Sequence, residues 1–248
     1  SEIAAKFGPA AGEALTRFVG STADLVFDLI ARHGMDVPYK RAGWIQGAHT
    51  PAMAETVKRR AGEWQQRGID AAFLDKDAVA RLLGTERYLA GWIDRRAGGV
   101  QPLAYARGLA KAAIAAGARI HGQSKVVSLK RGGTHWTIRT AQGAAVTAPR
   151  VVVTTNGYTG DLIPKLRQTV IRPNSFIVAT EALSDNLAGT ILPGGQVTSD
   201  TRQLLLYFRK DHQNRLLMGG RGPFREPRDA SDWAHLERVV GKMYPQVK

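Results

Sequence analysis

The chain has 248 residues, 44% of them apolar and 23% charged, a balance that suits a globular protein of one large domain or two interleaved ones. It has no cysteine, which excludes disulfides, thiolate metal sites, a cysteine nucleophile and a thioether link to a cofactor within this segment. Lys and Arg exceed Asp and Glu by 35 − 21 = 14, an excess that would suit nucleic acid, an anionic membrane or an acidic ligand.

The first third reads as helical. Leu15, Phe18, Val19, Val26, Leu29 and Ile30 recur at spacings of three and four, which places them on one helical face. Gly20-Ser21-Thr22 splits this run into two helices, with Ser21 or Thr22 as a new N-cap, and Gly34 stops the second. Trp44-Ile45-Gln46 reads as the core of a strand. Pro51 opens a helix that Gly68 closes, and Asp75 caps another over KDAVARLLG. Residues 98–120 form a turn and then a helix with Leu103, Ala106, Ala110, Ala113 and Ile114 on one face, small enough to lie close against a sheet, and Gly117 ends it.

Strand signals follow: RIHGQSKVVSLKR, a Gly132-Gly133 hairpin turn, THWTIRT, a turn at Gly143, AAVTAP, and RVVVTTNG as a buried strand. This order describes an α/β unit with an antiparallel ribbon inserted into its crossover. The last third is β-rich, with TVIRPNSFIVATEAL, GQVTSDTRQLLLYFRK and NRLLMGGRG forming an antiparallel sheet, and Asp229 to Asp232 capping a final helix, WAHLERVVGKMY. In LLLYFRKD, alternation puts Leu205, Tyr207 and Arg209 on one face and Leu206, Phe208 and Lys210 on the other.

General catalytic signatures are missing. The six histidines show no metal-ligand spacing, and there is no G-x-S-x-G elbow, no P-loop and no G-x-G-x-x-G dinucleotide turn. GGRGPF at 219–224 reads as a strand-ending turn, because Pro223 removes an amide donor. The apolar runs at 151–153 and 203–208 are too short to cross a bilayer and no signal peptide is visible, so a soluble, cytoplasmic protein is expected. The basic residues form short, scattered clusters without interleaved aromatics, which favours a solvated surface over a nucleic-acid face.

The middle and last thirds carry a resemblance. GGVQPLAYARGLAKAAIAAGARIHGQSKVVSL followed by RVVVTTNGYTGDLIP resembles the FAD-dependent amine and amino-acid oxidoreductases, the group of D-amino-acid oxidase, glycine oxidase and sarcosine oxidase. SFIVATEAL, ILPGGQVTSDTRQLLLYFR and RLLMGGRG, with AKFG, ADLVFDLIARHG and GWIQGAHTP, look most like the γ-glutamylputrescine oxidase branch. The resemblance implies an α+β fold: an antiparallel substrate-domain sheet with helices, plus part of a discontinuous α/β FAD-binding domain. Residues 1–97 and 166–248 would belong to the substrate domain and 98–165 to the FAD-binding domain.

Such enzymes oxidise a C–N bond of an amine or amino acid by hydride transfer to FAD. Since the phosphate-binding turn and the family's C-terminal flavin-contacting segment are both missing, the resemblance implies an internal portion of a longer enzyme, inactive alone and not retaining FAD. It also implies that Val126 lends backbone hydrogen bonds to the adenine, its alternative being a plain core valine. Thr154, Thr155, Asn156 and Gly157 would pass close to the ADP part of FAD, with Tyr158 at a frequently aromatic place and Asn156 where some relatives have glycine. On the substrate side Tyr207 and Arg209 would line a pocket, Arg209 pairing with a carboxylate or standing as a surface charge at a strand end. Trp44 and Gln46 form a second candidate pair. No catalytic residue and no metal ligand is indicated. The alternative from another class is a non-catalytic basic module binding nucleic acid or an acidic partner.

Overall fold

The computed structural model describes residues 2–247. In chain order the elements are α1 (Glu2–Phe7), α2 (Pro9–Gly20), α3 (Thr22–Arg32), β1 (Tyr39–Lys40), β2 (Trp44–Ala48), α4 (Pro51–Gln65), β3 (Ala71–Leu74), α5 (Lys76–Leu83), β4 (Ala90–Asp94), β5 (Gly99–Val100) and α6 (Pro102–Ala115). There follow β6 (Val126–Gly132), β7 (His135–Thr140), β8 (Ala145–Ala148), β9 (Ser175–Ala182), α7 (Asp185–Thr190), β10 (Val197–Asp200), β11 (Tyr207–Lys210), β12 (Arg215–Arg221) and α8 (Ala234–Met243). The chain divides into two compact units, residues 1–112 with 175–248, and residues 113–174.

The helix boundaries follow their caps. Thr50 Oγ1 accepts from the Met53 N–H at 3.3 Å ahead of Pro51, and an Asp75 carboxylate oxygen accepts from the Ala78 N–H at 2.8 Å. Gly84, at a φ of 72°, closes α5 in the left-handed conformation that glycine adopts without strain. The break between α2 and α3 falls at Ser21 as expected, but neither candidate caps it. Ser21 Oγ donates back to the Phe18 carbonyl and Thr22 Oγ1 to that of Val19, so both hydroxyls serve the end of α2.

The larger unit is built on a seven-stranded sheet in the order β3-β4-β2-β10-β11-β12-β9. Every pair is antiparallel except β10 with β2, which run parallel. One face packs the main core: Ile45, Ile93, Phe208 and Met218 point into it and meet Leu83 of α5 and Val240 and Met243 of α8. Phe208 stacks on Tyr88 at 6.5 Å between ring centroids and meets Tyr244 edge-on at 6.1 Å. Each such fully buried side chain contributes about 1.5–3 kcal/mol. On the other face α4 covers only the β3-β4-β2 end, where Val57 and Ala61 pack with Ala48, Ala71, Ala90 and Trp92. The small unit contains a three-stranded antiparallel sheet, β6-β7-β8.

Five sequence expectations need correcting. Residues 150–153, read as a buried strand, form no strand, and Val152 is 84% exposed. No described strand pairs with this stretch, so its β-branched run has neither a ladder nor a face to bury. The run before Val126 and the one before Ser175 are likewise irregular. Of the α6 face predicted from Leu103, Ala106, Ala110, Ala113 and Ile114, only Ala110 and Ala113 are half-buried and the other three are exposed, and the buried position is Gly108, where a Cβ would come within 2.9 Å of Met35 Sδ. Small apolar residues ring this helix, so periodicity alone does not choose its face. Finally, GQVTSDTRQLLLYFRK is two strands, because the buried Asp200 carboxylate accepts from the N–H groups of Arg202 and Leu206, each at 3.1 Å, and turns the chain between β10 and β11. No described helix is long and apolar enough to cross a membrane.

Candidate functional site

Strand alternation brings the four predicted substrate-side residues onto one face of the large sheet. β2 presents Trp44 and Gln46, and β11 presents Tyr207 and Arg209. Between them lies β10, whose Val197 stands beside Trp44 and whose Ser199 stands beside both Gln46 and Tyr207. β4 extends the same row with Trp92 beside Gln46 and Asp94 beside Trp44.

At the β2–β4 end the polar groups are satisfied within the face. Trp44 Nε1 donates to Ser199 Oγ at 3.1 Å, while Gln46 Oε1 accepts from Trp92 Nε1 at 3.1 Å and from Arg60 Nη1 at 2.7 Å. The indoles of Trp44 and Trp92 meet edge to face at 5.4 Å. Trp64 of α4 carries the Arg96 guanidinium over its ring at 4.6 Å, and Arg96 in turn clamps Asp94 with bonds of 2.6 and 3.0 Å. These groups wall a cavity of about 240 Å3 lined by all three tryptophans, Asp94 and Arg96.

Along β11 the surroundings change. The Tyr207 hydroxyl bonds with Ser175 Oγ and lies 3.5 Å from the Phe176 carbonyl. Its ring lies across Gly219 of β12, where a Cβ would stand 2.0 Å from Tyr207 Cε2. Only glycine leaves room for that pose. Arg209, two residues on, enters a separate cavity of about 320 Å3 that Tyr207 does not line. Lys40 of β1 and Lys210 line that cavity with it. The Lys210 ammonium donates to the Ala188 carbonyl, and burial, with the nearby Lys40 charge, holds its pKa below the ordinary lysine value.

The predicted cofactor-side residues lie in the small unit. Val126 is half-buried at the start of β6, next to a register shift between Val126 and Ser128. Thr154, Thr155, Asn156, Gly157 and Tyr158 form one turn, of which Asn156–Tyr158 is a single 3-10 turn. Asn156 takes a φ of 51°, the left-handed conformation that glycine favours and asparagine tolerates, so its departure from glycine keeps the turn. Thr155 Oγ1 and Thr159 Oγ1 bond at 2.7 Å and brace it. A Cβ on Gly157 would meet only Arg172 Cγ, at 3.8 Å, and Tyr158 is 91% exposed. No described turn has the glycine pattern that would cradle a dinucleotide's pyrophosphate. The described residues also contain no cluster of His, Asp and Glu that could hold a metal ion.

Trp92, Ser199, Gly219 and Lys40 belong to these surfaces and were not singled out in the sequence. Ser199 and Gly219 sit at alternating positions of strands that were predicted, so their faces follow from register. Lys40 had no such signal, because the two-residue pairing of β1 with β5 is a tertiary event.

The profile of the DAO family, FAD dependent oxidoreductase, matches residues 3–248. The chain belongs to that family. It is 31% identical over 231 residues to γ-glutamylputrescine oxidoreductase of Escherichia coli, covering 91% of this chain and 53% of that protein. It is 35% identical over 178 residues to a probable oxidoreductase, OrdL, of Rhizobium meliloti, covering 71% of this chain and 40% of the other. The chain therefore spans about half the length of the curated relatives it matches. Among solved structures it superposes on glycine oxidase from Geobacillus kaustophilus with a TM-score of 0.70 at 19% identity, over 92% of this chain and 61% of that one. L-proline dehydrogenase from P. horikoshii gives 0.73 at 15% identity, over 92% and 62%. These two likenesses establish the α+β fold expected from the sequence.

Proposed function

We propose that this chain is the substrate-binding part, with a portion of the FAD-binding part, of an oxidoreductase that oxidises a C–N bond of an amine or amino acid. The observation that carries this reading is that Trp44, Gln46, Tyr207 and Arg209 stand on one sheet face, covered by α4 only at its β2 end, within a chain of the FAD-dependent family. The 31% identity to γ-glutamylputrescine oxidoreductase supports a small amine as the substrate. In this reading residues 1–97 and 166–248 form the substrate domain and 98–165 part of the FAD-binding domain, and the enzyme acts in the cytoplasm.

FAD supplies the electron acceptor for the oxidation, and the substrate leaves as an imine that water hydrolyses. The chain's own residues bind and orient. The aromatic wall of Trp44 and Tyr207 shields the reacting carbon from water, and Gln46, with its oxygen already taken by two donors, has only its amide N–H groups to offer a ligand. Arg209 holds a carboxylate at the edge of the face. Val126 would contact the adenine through its backbone, and the turn at 154–158 the ADP portion.

Two measurements test the proposal. The 248-residue chain, mixed with FAD and desalted, is expected to come through colourless, and stoichiometric yellow flavin would overturn the reading that this chain does not retain FAD on its own. The protein produced from the complete reading frame is expected to bleach its oxidised flavin anaerobically with a primary or secondary amine. No bleaching across γ-glutamylated amines, glycine, sarcosine and proline would refute the C–N oxidation.

A further inference from the structure

The cavity that Arg209 enters holds positive charge that its own walls do not neutralise. Lys40, Arg209 and Lys210 line it, with Asp211 as the one acid among the lining residues. That acid is already engaged. Its carboxylate accepts from the N–H groups of Gln213 and Arg215, each at 2.9 Å, and from Arg215 Nε at 2.7 Å. Lys210 is tied to the Ala188 carbonyl. Among the described residues Lys40 and Arg209 have no ion pair or side-chain hydrogen bond.

Two glycines keep the space around these cations clear. Gly195 has a φ of 76°, and a Cβ there would lie 2.6 Å from Lys40 Cδ and 2.9 Å from its Nζ. At Gly99 a Cβ would press on Val197 Cγ1 at 2.9 Å and stand 4.0 Å from Arg209 Cδ and Nη1. The remaining wall is partly apolar, from Pro38, Val100 and Val197. A volume of about 320 Å3 admits more than a bare inorganic ion.

We propose that this cavity binds a small organic dianion, a dicarboxylate or a phosphomonoester, with Lys40 and Arg209 as its paired cationic contacts. Two oxyanion charges answer the two unengaged cations, and the carbon body fills the space along Val100 and Val197. Arg209's forked guanidinium suits either head group, and Lys40 acts as a point charge beside it. The site shares Arg209 with the substrate reading above but needs neither flavin nor oxidation.

The test is calorimetric titration of the flavin-free 248-residue chain with glutarate, phenyl phosphate and glycine. Glutarate or phenyl phosphate is expected to bind saturably, and Lys40→Gln and Arg209→Gln are each expected to weaken that binding about tenfold or more. Arg81→Gln, an exposed cation on α5, is expected to leave it unchanged. Lys40 is exposed, so Lys40→Gln leaves the core intact and decides the matter even where Arg209→Gln disturbs the sheet. Absence of saturable binding by both dianions overturns the proposal, as does undiminished binding to Lys40→Gln. Glycine binding as tightly as the dianions would overturn the dianion assignment and return Arg209 to a substrate carboxylate. The flavin-bleaching assay stands whichever way this titration falls.

Discussion

Asp200 is the buried group whose removal has the most calculable effect. Its side chain is fully buried and pairs with Arg202, whose own side chain is 39% exposed. Its oxygens also accept from the N–H groups of Arg202 and Leu206 and face the Tyr88 hydroxyl at 3.4 Å. Tyr88 stays a neutral donor, since burial first, and the Asp200 charge after it, push its pKa well above the usual phenol value. Asp200→Ala leaves two backbone donors and a buried hydroxyl without their acceptor and strands the arginine. Removing one partner of a fully buried pair costs about 3–5 kcal/mol, and the half-open Arg202 brings the expectation to the lower end, about 3 kcal/mol. Asp200→Asn keeps Oδ1 as the acceptor for the two N–H groups but sets an NH2 donor where the second oxygen accepts from Arg202 and faces the Tyr88 hydroxyl, so about 2 kcal/mol is expected. Urea unfolding of the large unit, followed by tryptophan fluorescence, measures both. A cost below about 1 kcal/mol for Asp200→Ala, or an Asn variant as damaged as the Ala variant, would refute the view that this carboxylate holds the β10–β11 connection.

Two further substitutions report on other parts of the structure. Burial opposes ionisation of Asp211, but hydrogen bonds from the Arg215 backbone and side chain and from the Gln213 N–H outweigh it, so its folded pKa lies below the usual aspartate value. A depressed pKa gives stability that is present above the unfolded value and lost as pH falls through the folded one. The urea midpoint is therefore expected to drop between pH about 5 and about 2 in the native chain, and to drop less in Asp211→Asn. At Gly219 an alanine Cβ would overlap the Tyr207 ring, so Gly219→Ala is expected to cost about 1–3 kcal/mol and to change the Tyr207 ring resonances in NMR spectra.

The helix starts at Pro51 and Asp75 and the alternation of Tyr207, Phe208 and Arg209 were readable because they act within a few residues of themselves. The short strands β3, β4 and β5 carry no such local signal. Sequence could place Trp44 and Gln46 on one strand face and Tyr207 and Arg209 on another, but not these two faces side by side. That juxtaposition depends on β10 pairing with both strands, a contact set by the whole sheet. Lys40 shows the same limit at its sharpest, since its approach to Arg209's cavity depends on the two-residue ladder with Gly99. Residues 150–153 fail in the opposite direction. Their composition is that of a strand, but composition alone supplies no pairing partner.

The single parallel seam in the sheet has a consequence for how the protein is made. β2 and β10 join halves of the sheet that are distant along the chain: the Trp44–Ser199 hydrogen bond spans 155 positions. On a ribosome β3, β4 and β2 would emerge long before β10, and the far edge of β2 would wait unpaired through all that synthesis. Closing so large a loop is also entropically slow. The Trp44 indole and its β2 edge are thus the part of the nascent chain most in need of a chaperone, and truncations ending before Val197 would leave that edge permanently open to pairing with other chains.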